Sequence, residues 1–541
     1  MNRSRSQAPL GIVRVLPTVE DCGVAPLSAQ EQSRLLRGFD PTLILEAAST
    51  LLGEVENSED SATFWEPTIW RLPLEDRKRL QAWVNRRPSE HAAIASSPLH
   101  ALAVVATLKL ALAQSKPGKL TNARREELIA RMARVALRLN DQVVHADLDD
   151  RGLDEEEMEQ ELWCILAGMS LWSTVEANDW TILSGELVQA LASVKDAARG
   201  LAAFRERNGL TLDEWFSRCL AERATRQLHG PRSWGGADGI DRALEEAWES
   251  VATITPDEAV RRAQAEVERN DGRIVVRDVF DLGWLAERPF VRAADGRRFA
   301  IWLTASNRYL VPSEVVRTLG RGADVSYDVV ATWMGAAGHA LLGDAIAATQ
   351  NVVGEFRIPE DQIVTGGKKG DYVVGDGKNL LAIDFTLLSP TLRLAQGDGA
   401  GVEATVAKLA CKFEQVYATL RWCDPAHAMN WLPLVVLLSP MSMTLEELVH
   451  RRLVADGIAP GGPAEVMICH ATDFLDLTHY AADRKISLAR AVARWQRNGT
   501  SFLDWWLHER GATRASSRDR SRAVVARCRE TLMRAPETRA S

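Results

Sequence analysis

Residues Gly370–Ser389 read "GDYVVGDGKNLLAIDFTLLS", and this stretch decides the fold. One Asp opens an apolar run, a second Asp lies inside the next run, and Gly-Asp-Gly stands between the two. Apolar runs on either side of such a turn predict a β-hairpin. Side chains alternate faces along a strand. Leu381, Ile383 and Phe385 are therefore expected on a packed face, with Ala382, Asp384 and Thr386 on the other. The turn "GDGKN" lets Asp371 and Asp384 approach each other across the ladder. Two carboxylates held close resist joint ionisation unless a cation compensates, so a divalent metal is their natural third party. Mg2+ suits the pair, because it takes one or two carboxylates and keeps several waters; Mn2+ is the substitute considered beside it.

Working outward, "YDVVATWMGAAGHALLGDAIAATQ" upstream reads as a helix of small and apolar residues. "VVGEFRI" precedes the hairpin as a further strand. After it come a helix from about Val402 to Arg421, the buried-strand run "WLPLVVLLS", the helical "TLEELVHRRLVADG" and the strand "EVMICH". The order is α-β-β-β-α-β-α-β, and strands mixed with crossover helices imply an α/β core with a mixed sheet. Residues of about 28–230 show helical periodicity and good helix formers, as in "LHALAVVATLKLALAQ". "HGPRSWGGADG" (His229–Gly239) breaks that texture. "RPFVRAADGRRFAIWL" has Asp295-Gly296 between apolar runs, a second hairpin signal. The expected class is α+β multidomain: a helical region over 1–230, a linker and hairpin region over 231–324, the α/β core over 325–480, and C-terminal helices with a basic tail over 481–541.

In the helix after the hairpin, Val402, Val406, Leu409, Phe413, Val416 and Leu420 fall at spacings of three and four and form the stripe expected to be buried. Lys408, Lys412 and Gln415 form a polar stripe beside it. Either lysine is placed to reach back towards Asp384. Lys368 and Lys369 stand just upstream of Asp371 in "TGGKKGDYVV", among glycines.

The element order and the two acids resemble the PD-(D/E)XK nuclease superfamily, over about Val325–Tyr480. The resemblance implies a restriction-endonuclease-like core in which Asp371 and Asp384 bind the metal. Such nucleases carry a Lys two residues after the second acid, which helps to place the attacking water and stabilises the phosphorane. Thr386 stands there instead and brings no positive charge. Some members supply the lysine from the following helix, which makes Lys408 or Lys412 the charge stabiliser here. Lys368, Lys369, Thr386 and Gln415 are then expected to contact nucleic acid. Members often carry a Glu on the first core helix; Gly338 and His339 lie near that place, Asp344 follows one to two turns on, and Glu355 is another outer candidate.

The activity so implied is Mg2+-dependent phosphodiester hydrolysis of nucleic acid, DNA before RNA, in the cytoplasm. A helical region ahead of such a domain is similar to the layout of effectors in bacterial anti-phage or restriction systems, where it binds a partner subunit or senses a trigger. The alternative implied by Thr386 is an inactive nuclease-like scaffold or nucleic-acid-binding subunit.

Composition sets the frame for these readings. The net charge is −8, so a nucleic-acid surface has to be local. Seven scattered cysteines without a C-x-x-C pair read as thiols in a reducing compartment, not as a zinc site. No apolar run of about 18 residues predicts a membrane span, and the N-terminus lacks the apolar core of a signal peptide. The acidic run from Asp147 fails as a calcium loop, because Arg151 and Met158 occupy ligand positions. No phosphate-binding G-x-x-x-x-G-K-[ST], G-x-S-x-G or H-E-x-x-H motif occurs. His470 and His479 are expected to be structural or solvated. Arg514, Arg518, Arg520, Arg522, Arg527 and Arg529 make the C-terminus basic, as either a phosphate-contacting arm or a solvated tail.

Overall fold

The computed structural model describes residues 23–57, 66–85, 99, 101–118, 120–144, 178–229, 253–270, 273–276, 284–285, 288, 290–296, 298–301, 310–349, 354–364, 369–388, 399–439, 445–458, 466–498 and 515–534. Lys368, the acidic run after Asp147 and most of His229–Gly239 lie outside them. The class is α+β, and the chain divides into two compact units. One comprises Met1–Gly11, Leu162–Ala221 and Arg308–Ser541; the other comprises Ile12–Glu161 and Glu222–Asn307. The boundaries expected at 230, 324 and 480 run in order along the chain, whereas both units are discontinuous in it.

The first unit carries the hairpin. Its elements are α1 (Asn178–Leu191), α2 (Ala198–Asn208), α3 (Pro312–Ala323), α4 (Tyr327–Ala348), β1 (Phe356–Pro359), β2 (Tyr372–Gly375), β3 (Asn379–Thr386), α5 (Gly399–Cys423), β4 (Asn430–Leu437), α6 (Leu445–Ala455), β5 (Met467–His470), α7 (Ala471–Arg484), α8 (Leu488–Asn498) and α9 (Ala515–Arg534). The helix Leu212–His229 begins in this unit too. The sheet order is β5-β4-β3-β2-β1. β1, β2 and β3 form an antiparallel meander; β4 and β5 add in parallel. Parallel neighbours need crossover connections, which α5 and α6 supply.

The hairpin turn is built by Asp376, whose Oδ1 accepts the backbone N–H groups of Lys378 and Asn379. Gly377 follows at φ +78°, a conformation that costs glycine little. Ser487 donates its hydroxyl to Asp376 Oδ2 and so ties the turn to the start of α8.

One expectation fails at the hairpin. Leu380–Thr386 are all buried, on both faces of β3. Leu380 and Ala382 pack with Val373, Val435, Leu437 and Ile468 under the apolar stripe of α5, which is the stripe read from its spacing. On the other face the Phe385 ring meets His339 of α4 and Phe474 of α7 edge-on. A sheet extended by parallel strands is covered by helices on both sides, so the face of Asp384 is also interior. Asp384 itself has no exposed surface.

α4 is the one described helix long and apolar enough to cross a membrane. It packs here against α1, α3, α7 and β3. Gly338 permits its close approach: a Cβ there would lie 2.6 Å from Leu438 Cδ1. The described part of the basic C-terminus, α9, docks on α1. Arg520 makes two bonds to the Glu186 carboxylate, and Arg527 donates to Gln189 Oε1 and the Gly185 carbonyl. These two guanidiniums are therefore committed within the fold.

In the second unit the helices Pro41–Asn57, Ala101–Ala113 and Asn122–Val144 pack on one another. Lys109 is fully buried there and pairs with Glu266 at 2.8 Å. Phe290–Arg292 and Arg298–Ala300 form the hairpin expected at Asp295-Gly296, with Gly296 at φ +83°. Among the described residues up to 229, the regular elements are helices.

Candidate active site

Asp371 sits one residue before β2 and is held from several sides. Its backbone N–H donates to the Ile383 carbonyl at 2.8 Å, and its Oδ2 accepts the Phe385 N–H at 2.6 Å. The carboxylate thus lies along β3 at the level of Asp384, between residues 383 and 385. His339, brought in by α4, places Nε2 3.4 Å from the same Oδ2.

Asp384 lies within the sheet and faces α5. Lys412 Nζ stands 2.9 Å from its Oδ1. The contact is an ion pair, and among the described residues neither Asp384 oxygen meets the full geometry of a hydrogen bond. A buried carboxylate in that condition is costly unless a cation satisfies it. Lys412 is 30% exposed and reaches the site from its edge.

Burial governs the electrostatics. It pushes Asp371 up to about 6, against the pull of the Phe385 N–H and Lys412. Burial and then the charge of Asp371 push Asp384 up to about 7, against Lys412. Burial lowers His339, over the opposing pull of Glu360 and Asp384. A lowered imidazole is neutral at pH 7 and offers a lone pair, which is the form a metal ion binds.

Glu360 joins this set from an unexpected quarter. It opens a short 3-10 turn, Glu360–Gln362, directly after β1. Ligand atoms of His339, Glu360 and Asp371 all lie within 4.8 Å of one another. Lys369 closes the turn from behind: its Nζ donates to the carbonyls of Glu360 (2.6 Å) and Ile363 (3.3 Å). The cluster shares Asp371 with the expected Asp371–Asp384 pair and adds an imidazole and the Glu360 carboxylate, while Asp384 is not part of it. One imidazole nitrogen and two carboxylates that converge in this way fit a divalent cation.

The remaining candidates are placed as follows. Lys408, one turn before Lys412, is exposed, and Gln415 is half-buried. Thr386 is 6% exposed and its carbonyl accepts the Leu438 N–H, which makes it part of the sheet and leaves it little surface for phosphate. Lys369 spends its amine on the turn, where a phosphate contact was expected. Asp344 is exposed on α4. Glu355 accepts from Arg357 and from the Leu488 N–H at the start of α8, so it anchors a helix. His470 is buried edge-on to Trp180, and His479 is exposed beside Asp483.

Comparison of the chain with models of protein families, with curated proteins and with solved structures gave no match.

Proposed function

We propose that the first unit is a PD-(D/E)XK-like nuclease domain that hydrolyses phosphodiester bonds of nucleic acid with a divalent cation. The observation that carries this reading is the Lys412–Asp384 ion pair beside the convergent His339, Glu360 and Asp371. The resemblance asks for two acids, a cation and a lysine, and Thr386 denies the lysine its usual place. A lysine from the following helix now stands against the second acid. The meander followed by a crossover helix and a parallel strand supports the same reading.

His339, Glu360, Asp371 and Asp384 would hold the cation, which supplies Lewis acidity and positive charge to the phosphate when bound. With an imidazole among the donors, Mn2+ is expected to serve at least as well as Mg2+. In the reaction a water oxygen bonds to phosphorus, the P–O bond to the leaving oxygen breaks, and that oxygen takes up a proton. The Lys412 ammonium faces the charge that develops on the phosphoryl oxygens. Exposed Lys408, one helical turn away, is placed to contact the nucleic-acid backbone. DNA is the first substrate to test, and a cytoplasmic bacterial defence or restriction-type system with partner subunits is the setting the layout suggests.

Thr386 and the net charge of −8 favour a second reading, an inactive nuclease-like scaffold or nucleic-acid-binding subunit. End-labelled duplex DNA, single-stranded DNA and RNA, each incubated with Mg2+, Mn2+ or chelator, separate the two. Cation-dependent cleavage of any of them supports the nuclease; retention on a filter without cleavage supports the scaffold.

A further inference from the structure

The anchor of Asp371 extends beyond its own contacts. Gly370, the residue before it, donates its N–H to Thr419 Oγ1 at 2.9 Å. Thr419 lies on α5 with no exposed surface, and its hydroxyl donates in turn to the Gln415 carbonyl at 2.9 Å. The approach at Gly370 is close: a Cβ there would lie 3.1 Å from the Ile383 carbonyl oxygen and 3.6 Å from Thr419 Oγ1. The two successive peptides before Asp371 are thus held from different sides, the Lys369–Gly370 N–H by Thr419 of α5 and the Gly370–Asp371 N–H by the Ile383 carbonyl of β3. Thr419 sits seven residues after Lys412, two turns along the same face of the helix. One helix face thus sets the amine opposite Asp384 and the backbone before Asp371.

We propose that Thr419 is a positioning residue for Asp371, fixing the place of its carboxylate as a cation ligand through the Gly370 N–H. The inference rests on the metal-site reading above. Without the hydroxyl, the Gly370 N–H is buried without an acceptor, and the peptide must turn to find one. That peptide joins Lys369 to Gly370, so its turn is passed through the Gly370 backbone to Asp371, the next residue, and strains the Ile383 and Phe385 bonds that hold it. Partners that orient metal ligands typically change metal affinity by about 10–100-fold when removed.

The test is Mn2+ affinity of the full chain, read by electron paramagnetic resonance of the free ion, together with the thermal midpoint in chelator. Thr419→Val replaces the hydroxyl by a methyl of the same shape; Thr419→Ser keeps it; Thr419→Ala removes it without filling the site. The expected result is a loss of affinity of about tenfold or more in folded Thr419→Val or Thr419→Ala, with Thr419→Ser close to wild type. A folded Thr419→Val or Thr419→Ala that binds Mn2+ like wild type overturns the proposal, as does a Thr419→Ser as weak as Thr419→Val. If only Thr419→Ser folds, the hydroxyl serves the fold and the positioning role is overturned. No Mn2+ binding by wild type overturns the metal-site reading itself, a result distinct from failure of Thr419.

Discussion

Asp384 is a carboxylate with no exposed surface whose one charged neighbour at ion-pair distance, among the described residues, is Lys412. Removing that neighbour has two separable effects. Lys412→Met should slow cleavage by about 10²–10³-fold, the usual cost of losing a group that stabilises transition-state charge. It should also lower stability by about 1–3 kcal/mol, because Asp384 is left buried and unpaired. Adding Asp384→Asn to Lys412→Met removes the stranded charge, so denaturant midpoints should rise again while cleavage stays lost. Lys408→Met, at an exposed position, should leave stability within about 0.5 kcal/mol of wild type. The acids also set a pH dependence. Both are raised by burial, so the folded protein holds more protons than the unfolded chain between the ordinary carboxylate range and about 7. Their contribution to stability is full at low pH and is lost as pH rises through that window. In chelator, the thermal midpoint should carry a component that falls from pH 5 to pH 8; Asp384→Asn should flatten it, and Mn2+ should offset it most at pH 8. An Asp384→Asn profile that superimposes on wild type would remove the carboxylates from the account. At this scale the sequence was informative where side chains follow strand and helix spacing. Asp371, Asp384 and the lysines of α5 could be picked out in that way. Glu360 could not, because its approach depends on a 3-10 turn after Pro359 that no local periodicity announces. Thr419 was also hidden, since a buried hydroxyl on an amphipathic helix looks like any other core-side residue.

α4 and the end of β4 meet through a missing side chain. Gly338 has Leu438 against it, whereas Gly335, three residues earlier on the same helix, has nothing within 4 Å of a Cβ. The two glycines should therefore respond oppositely. Gly335→Ala should stabilise by about 0.5–1 kcal/mol, the helix-propensity gain. Gly338→Val should destabilise by about 1–3 kcal/mol through overpacking, and because His339 is the next residue it should also weaken Mn2+ binding. Chemical denaturation of both variants with a Mn2+ titration checks this; a Gly338→Val as stable as wild type would mean that Leu438 yields freely. The order of strands and helices was legible because each apolar run is bounded by Gly, Asp or Pro. The two-sided burial of β3 was not. Period-two reading assigned Ala382, Asp384 and Thr386 to the face opposite the packed one, and only the path of α5 over the sheet shows that face to be interior as well. Strand residues covered on both sides differ little in composition between faces, so the local pattern carries no mark of the second layer.

The chain divides into a unit built on the five-stranded sheet and a second, mainly helical one, and segments distant in sequence complete each. Such discontinuity is invisible to a reading that advances along the chain, because composition shifts mark segments and not their partners in space. The basic C-terminus shows the same limit: Arg520 and Arg527 read as part of either a phosphate-contacting arm or a solvated tail, yet acidic and amide partners more than 300 residues earlier hold them. With a net charge of −8, attraction to nucleic acid must come from the site and its immediate surface, so substrate engagement should depend on the cation. The measurement that bears most directly on the central claim is nicking of supercoiled plasmid by the purified chain in Mn2+ or Mg2+, beside Asp384→Ala of equal foldedness. The expected result is cation-dependent conversion to open-circular or linear DNA by wild type, abolished by chelator and by Asp384→Ala. Equal conversion by wild type and Asp384→Ala, or none by wild type with either ion, would contradict it.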